Sequence, residues 1–593
     1  MDKPLENKGR AVAAAPETGP VEEDTWRNLD RLFHATLGRM TLSLSPAAIA
    51  LAWLDWLAHL SVSPGKQLLV AQKALRKALR VALYSSRHAL DPGTPLCIEP
   101  LPQDSRFRDP AWQKPPFNYI QQAFLNYQQW LHNLTTGVRG VQPRHEEIVT
   151  FMTRQILDAF SPSNFPWSNP VVLQRTLQEK GMNFFRGYMN WLEDLERRLG
   201  NRPPVGAKKF RVGREVAVTP GKVVFRNELM ELIQYSPATE KVHAEPLLMV
   251  PAWIMKYYIL DLSPHNSMVR YLVEQGHTVF MISWKNPTAE DRDLSFDDYR
   301  RLGVMAALDV IGDILPGRKV NALGYCLGGT LLSIAAATMA RHDDDRLRSI
   351  TLLATQTDFT EVGEIGLFIT PSQLTWLEDV MWSQGYLDIS QMTGAFSMLR
   401  SNDLIWSAMV QEYLLGERRP LIDLMAWNAD GTRLPYRMHS EYLEHLYLNN
   451  DLAEGRYEVE GRAISLGDIT APIFTVGTTK DHVAPWRSVY KIHQLARRAE
   501  VTFLLTNGGH NAGIVSEPGH PRREHWIHTR KVEDKYVEPE LWQALAEHRE
   551  GSWWPSWQAW LAGQSSGMGK PPALGSKNYP PLEDAPGTYV LQH

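Results

Sequence analysis

The run Asn321-Ala-Leu-Gly-Tyr-Cys-Leu-Gly-Gly-Thr330 constrains this chain more than any other. Residues 320–323 read as a short apolar strand, and residues 327–340, rich in Ala and Leu, read as a helix. A strand that gives way to a helix within a few residues must turn sharply. The turn puts its central residue, Cys326, into a strained backbone conformation and crowds the positions two residues to either side. Only glycine is comfortable there, and Gly324 and Gly328 fill both positions. Gly329 then lets the helix lie close against the sheet. The product is a nucleophile at a helix N-terminus, where the dipole favours developing negative charge. The N–H of Leu327 is placed as one oxyanion donor. A buried cysteine in an ordinary strand–glycine–helix connection is the plainer reading, and the strand–turn–helix context argues against it.

A nucleophilic cysteine needs a base, and the base needs a group to orient it. In the α/β-hydrolase order the acid follows the nucleophile and the histidine comes last. Ala471-Pro-Ile-Phe-Thr-Val-Gly-Thr-Thr-Lys-Asp481 reads as a buried strand over 472–476 and a loop carrying Asp481. Val501-Thr-Phe-Leu-Leu-Thr-Asn-Gly-Gly-His510 repeats the design and presents His510. Singly, Asp481 reads equally well as a cap or turn residue before Pro485, and His510 as a loop histidine. Together, in this order after Cys326, they read as the acid and base of a triad. His482 either lines the pocket or caps a loop.

At 593 residues the chain exceeds one domain, and its hydrophobic content of 44% and formal charge of −4 give no sign of nucleic-acid binding. Two cysteines, Cys97 and Cys326, cannot build a disulfide framework, and a thiol catalyst suits a reducing cytoplasm. No metal-spaced Cys/His set, phosphate loop or internal repeat is found, and no cofactor is called for. Residues 1–25 lack an apolar secretory core and are expected to be disordered.

A helical N-terminal domain is expected over 26–206. The apolar stretch 44–62 is interrupted by Asp55 and His59 and reads as an amphipathic helix, not a transmembrane segment. Further helices are expected at 67–85, 112–134, 146–160 and 171–199. In the first of these, Lys73, Arg76, Lys77 and Arg80 surround an Ala/Leu face. That face is either a solvated helix surface or an attachment surface for a hydrophobic granule. After a linker at 201–206, the domain 207–593 starts with antiparallel strands at 215–218, 222–225 and 229–235. Strands near Leu247, Val279, Val320, Ile350, Ile473 and Phe503 then alternate with helices. The rhythm breaks over about 358–467, dense in Trp, Met, Leu and Tyr, where a cap over the nucleophile would exclude water. The expectation is an α/β chain: an α/β-hydrolase fold with a cap insertion and a helical N-terminal domain. Trp427 is expected either to line the pocket or to sit in the core of the cap. Arg341-His-Asp-Asp-Asp-Arg346 looks like a ligand cluster but reads as a solvated helix end.

From about Leu101 onward the chain resembles polyhydroxyalkanoate synthases, most closely the single-subunit type acting on short-chain substrates. The segments that carry the resemblance include Trp253-Ile-Met-Lys-Tyr-Tyr-Ile-Leu-Asp-Leu262, the Cys326 turn, Trp427-Asn-Ala-Asp430, Asp481-His-Val-Ala-Pro-Trp486 and Gly509-His-Asn-Ala-Gly-Ile-Val515. Met255 and Asn511 depart from the asparagine and isoleucine usual at these places. The resemblance implies polymerisation of (R)-3-hydroxyacyl-CoA, chiefly 3-hydroxybutyryl-CoA, into polyester with release of CoA. It also implies a homodimer at the surface of cytoplasmic polyester granules. The chemistry suits cysteine: an acyl thioester on Cys326 is as energy-rich as the acyl-CoA, and transfer to the 3-hydroxyl of another unit forms a more stable ester. The second oxyanion donor is expected from the loop after the strand at 246–251, at the N–H of Ile254. A thioesterase or polyester depolymerase would use the same triad with water as acceptor. A granule-coating protein with a degenerate site is a third reading, against which the intact Cys326, Asp481 and His510 argue.

Overall fold

An eleven-stranded mixed sheet is built from strands between residues 221 and 584. The computed structural model describes residues 20–41, 43–200 and 202–593. β1 (Gly221–Arg226) and β2 (Met230–Tyr235) open the sheet as an antiparallel pair. Six parallel strands form its centre: β3 (Leu247–Val250), β4 (Val279–Trp284), β5 (Val320–Tyr325), β6 (Leu347–Leu353), β7 (Ile473–Thr478) and β8 (Val501–Thr506). β9 (Glu524–Arg530) and β10 (Glu547–Glu550) continue antiparallel, and β11 (Glu583–Asp584) returns to pair with β1. The spatial order is β10-β9-β8-β7-β6-β5-β3-β4-β2-β1-β11. β5, β7 and β8 are buried at every position, which is why they read as unbroken apolar runs rather than alternating ones. The order reverses around β3 and β5, so the ends of these two strands flank a crevice, with Val250 directly opposite Gly324. Residues 215–218, expected to be a strand, are not one. The edge beside β1 is taken instead by β11, a two-residue strand too short to leave a periodic signal.

Seven helices precede the sheet: α1 (Pro20–Met40), α2 (Pro46–Ser61), α3 (Pro64–Leu90), α4 (Phe117–Thr135), α5 (Pro143–Ala159), α6 (Pro170–Gln178) and α7 (Met182–Leu199). α2, α3, α5 and α6 each begin on proline, whose fixed φ and missing N–H suit the first turn. The single helix expected over 171–199 is two, because Lys180 and Gly181 adopt φ of 51° and 85°. α1 starts inside the segment expected to be disordered, so that expectation fails for residues 20–25; residues 1–19 lie outside the described residues. No described helix is long and apolar enough to cross a membrane.

Between β6 and β7 no strand joins the sheet. Helices and two short ribbons occupy this interval, Tyr386–Leu387 with Leu434–Pro435 and Glu458–Val459 with Arg462–Ala463. The N-terminal helices rest on this insertion. His34 Nδ1 meets Asp379 Oδ2 at 2.8 Å, Arg154 pairs with Glu364 at 2.5 Å, and Asn183 Nδ2 donates to Leu414 O at 2.8 Å. Arg418 pairs with Asp194 at 2.6 Å. Side-chain bonds from this region reach the insertion between residues 364 and 418.

Candidate active site

The turn after β5 has the strained geometry its sequence implies. Cys326 sits at φ 52°, ψ −122°, and α8 (Leu327–Arg341) starts at the next residue. The strain is held from several sides: Cys326 N–H donates to Leu353 O at 2.9 Å, and Thr355 Oγ1 donates to Cys326 O at 3.2 Å. The flanking glycines answer to space rather than to φ. A Cβ on Gly328 would run into Val250 O and lie 2.6 Å from Pro251 O, and one on Gly324 would lie 2.6 Å from Gly329 N. A Cβ on Gly329 would strike Thr355, so α8 can lie this close to the sheet only with glycine there.

Asp481 and His510 meet at the ends of β7 and β8. His510 Nδ1 lies 2.8 Å from Asp481 Oδ2. The other carboxylate oxygen, Oδ1, accepts the N–H groups of Val483 and Ala484, each at 2.8 Å. Asp481 is therefore buried and fully bonded. Burial pushes its pKa up, but the charge and hydrogen bond of His510 and the two N–H bonds outweigh burial and leave it below the ordinary carboxylate value. Burial pushes the His510 imidazole down. The charges of Asp481 and Cys326, with hydrogen bonds to both, outweigh it and hold the imidazole well above its ordinary value. Cys326, His510 and Asp481 thus form one interacting chain. Tyr325 backs it: its ring lies 5.7 Å from that of His510, and its hydroxyl donates to Asn511 Oδ1 at 2.6 Å. Asn511 therefore braces the site from behind.

The loop after β3 reaches the same place. Thr432 Oγ1 donates to Trp253 O, and Thr432 N–H donates to Ile254 O at 3.3 Å. The first bond fixes the peptide plane between Trp253 and Ile254. In a trans peptide the N–H points opposite to the C=O, so the Ile254 N–H is directed away from Thr432. It has no acceptor among the described residues. The Leu327 N–H, first in α8, has no intrahelical acceptor either.

A cavity of about 130 Å³ opens beside the thiol. Cys326, Leu327 and Ile254 line it from the sheet side, with cap side chains such as Phe368, Leu377 and Tyr442 facing them. Trp427 and His482 are not among the lining residues. The Trp427 indole donates to Lys256 O at 2.7 Å and fastens the cap to the loop after β3. His482 is half-buried; burial pushes its pKa down against the opposing charge of Asp481. Met255 is likewise off the cavity, in an isolated bridge with Gly431.

Most lining positions carry no local signal in the sequence, Ser43, Leu44 and His439 among them. Ser43 and Leu44, from the turn between α1 and α2, close the far side of the cavity. His439 lines it from the cap at 3% exposure, and burial pushes its pKa down to about 3, so the imidazole there is neutral. None sits in a strand–loop signal like those of Asp481 and His510; contacts distant in sequence bring them here.

The chain matches the family described as "Poly-beta-hydroxybutyrate polymerase (PhaC) N-terminus" over residues 103–272. It also matches "Poly-beta-hydroxybutyrate polymerase N terminal" over 25–66 and "alpha/beta hydrolase fold" over 245–517. It is 41% identical over 496 residues to the poly(3-hydroxyalkanoate) polymerase of Methylorubrum extorquens, covering 83% of this chain and 81% of that one. It is 36% identical over 593 residues to the poly(3-hydroxyalkanoate) polymerase subunit PhaC of Cupriavidus necator, covering 99% and 97%.

Proposed function

The chain belongs to the poly(3-hydroxyalkanoate) polymerase family and polymerises 3-hydroxyacyl units, and we propose that it does so through an acyl thioester on Cys326. In loading, Cys326 Sγ attacks the thioester carbonyl of a 3-hydroxyacyl-CoA while His510 takes the thiol proton. The carbonyl oxygen becomes an oxyanion between the N–H groups of Leu327 and Ile254. When the C–S bond to CoA breaks, His510 returns the proton to the CoA sulfur. One thioester replaces another, so the step is nearly balanced in energy. In elongation, His510 takes the proton of a 3-hydroxyl, and the hydroxyl oxygen attacks the acyl carbon on Cys326. The ester forms, the C–S bond breaks, and the proton returns to Cys326. Asp481 orients the imidazole and stabilises its charged form.

The observation that carries this reading is the His510–Asp481 pair at the ends of β7 and β8, with Cys326 at its strained turn opening on an apolar cavity under the cap. An apolar enclosure favours the hydroxyl acceptor over water, and so favours polymerase over thioesterase or depolymerase chemistry. The preferred unit is 3-hydroxybutyryl, with graded tolerance of longer chains.

The same reading places the enzyme as a homodimer on the granule it makes. α3 supports this with a stripe of exposed leucines, Leu68, Leu75, Leu79 and Leu83, at 72%, 62%, 53% and 55% exposure. A face this apolar is better matched to a second copy or a polyester surface than to water. The test of the reaction is CoA release and recovered polymer from 3-hydroxybutyryl-CoA. Cys326→Ala should lose both while folded; turnover by a folded Cys326→Ala variant would remove the mechanism.

A further inference from the structure

A second cavity adjoins the catalytic one. Leu44, Phe368 and Gln373 line both, and the second is the smaller, at about 30 Å³. The walls of this annex come from three places: Ala48 and Ile49 of α2, Phe151 and Met152 of α5, and the cap at Leu367 and Phe368. Phe151 and Phe368 meet edge to face at 5.4 Å. A single water needs about 10–15 Å³ measured this way, so the annex holds a group of two or three heavy atoms.

Its chemistry disfavours a polar guest. Gln373 is the one polar side chain in its lining, and both ends of that amide are engaged. Gln373 Oε1 accepts Ser45 N–H at 2.8 Å, and Nε2 donates to Ser43 O at 2.5 Å. A water or hydroxyl placed there would find at most the second N–H or second lone pair of Gln373, short of the two to four partners a buried water needs, whereas an alkyl group would lose nothing. Leu44, Phe368 and Gln373 are shared by both cavities, so they form the partition. Leucine changes rotamer readily, and its displacement would join the annex to the space beside Cys326.

We propose that the annex is an alkyl subsite of the acyl pocket, taking the terminal carbons of 3-hydroxyacyl chains longer than the catalytic cavity alone accommodates. It rests on the acyl-enzyme reading above. It makes Leu44 and Ala48, both in the N-terminal helical region, determinants of acyl length. Met255 and Asn511, the positions that depart from the family pattern, do not touch either cavity and have no such role.

The test compares CoA release by the full chain from C4, C6 and C8 3-hydroxyacyl-CoA. Ala48→Phe fills the annex and should lower the C8:C4 ratio about tenfold while C4 release stays within about twofold of wild type. Leu44→Ala opens the partition and should raise the same ratio about tenfold. The two variants change volume in opposite senses, so a folding defect in one leaves the other to decide. If either variant retains C4 release with an unchanged C8:C4 ratio, the annex is not an acyl subsite. Absence of C4 release by the wild type would instead overturn the acyl-enzyme reading itself.

Discussion

The Cys326 turn and the α1–α2 turn border the same cavity and are held in opposite ways. The first is locked by close packing: three glycines with no room for a Cβ, buried β5 beneath and α8 buried from Leu327 to Met339. The second is held to the cap by side-chain bonds: two from Gln373, one from Gln391 Nε2 to Ser43 Oγ at 2.8 Å, and one between the hydroxyls of Ser45 and Ser372 at 3.2 Å. Such bonds contribute about 1 kcal/mol each, so the second turn can open at modest cost, while the first cannot move without disrupting the sheet. Their neighbourhoods differ as well. Around the α1–α2 turn, Leu29, Leu32, Leu51 and Leu54 are more than half exposed; around Cys326 the hydrophobic side chains are buried. The contrast is between a site that fixes the chemistry and a shell that controls what reaches it.

The largest effect that would break this contrast is Gly328→Ala. The new methyl has backbone on its near side and nothing flexible to displace, so CoA release should fall by about 10²-fold or more as the oxyanion geometry is lost. Release within tenfold of wild type would mean that the turn yields after all. His510→Gln should cost about 10²–10⁴-fold in both loading and elongation, since each needs proton removal. Asp481→Asn should spare loading more than elongation and let acyl-enzyme accumulate; equal loss in both would give Asp481 a structural role only.

The same pair has a pH signature. The raised imidazole contributes stability that is fully present below its ordinary 6.5 and is lost as pH climbs through its folded value. The lowered carboxyl contributes above its ordinary 3.8 and is lost as pH falls through its own folded value. Thermal unfolding of the wild type should therefore weaken more than that of His510→Gln as pH rises above 6.5. Parallel curves for the two proteins would contradict the coupling.

A smaller effect probes the loop after β3. Thr432→Val keeps the shape but frees the Trp253–Ile254 peptide, and kcat should fall about tenfold or more with KM little changed. Thr432→Ser should restore it. Alkylation of Cys326 by iodoacetamide, which develops no oxyanion, should proceed at the wild-type rate in both; slower alkylation in Thr432→Val would point to general damage. The smallest effect sharpens the shell. Gln373→Leu loosens the α1–α2 turn and should leave CoA release within about threefold of wild type while diverting acyl-enzyme to free 3-hydroxy acid. An unchanged ratio of acid to polymer would show that the turn does not guard the cavity from water.

What could be read from the sequence follows the same division. The Cys326 turn, the loop bearing Asp481 and the loop bearing His510 each follow a buried parallel strand within a few residues, so local pattern suffices to find them. Ser43 comes to the cavity through a bond to Gln373 across 330 positions of sequence, and Thr432 reaches Trp253 across 179. No local period encodes either contact. In sequence, Trp427 fits a pocket wall or the core of the cap and His482 a pocket wall or a loop cap; the cavity wall passes both by. The break at Lys180 and Gly181 was hidden because the residues on both sides keep a helical pattern.

The central claim is that polymer grows through a thioester on Cys326. The direct measurement is peptide mass mapping of Asp481→Asn after brief exposure to 3-hydroxybutyryl-CoA. The expected result is a hydroxybutyryl group on the peptide containing Cys326, removed by neutral hydroxylamine as a thioester should be. An unmodified Cys326 beside released CoA, or an acyl group on Cys97 instead, would contradict it.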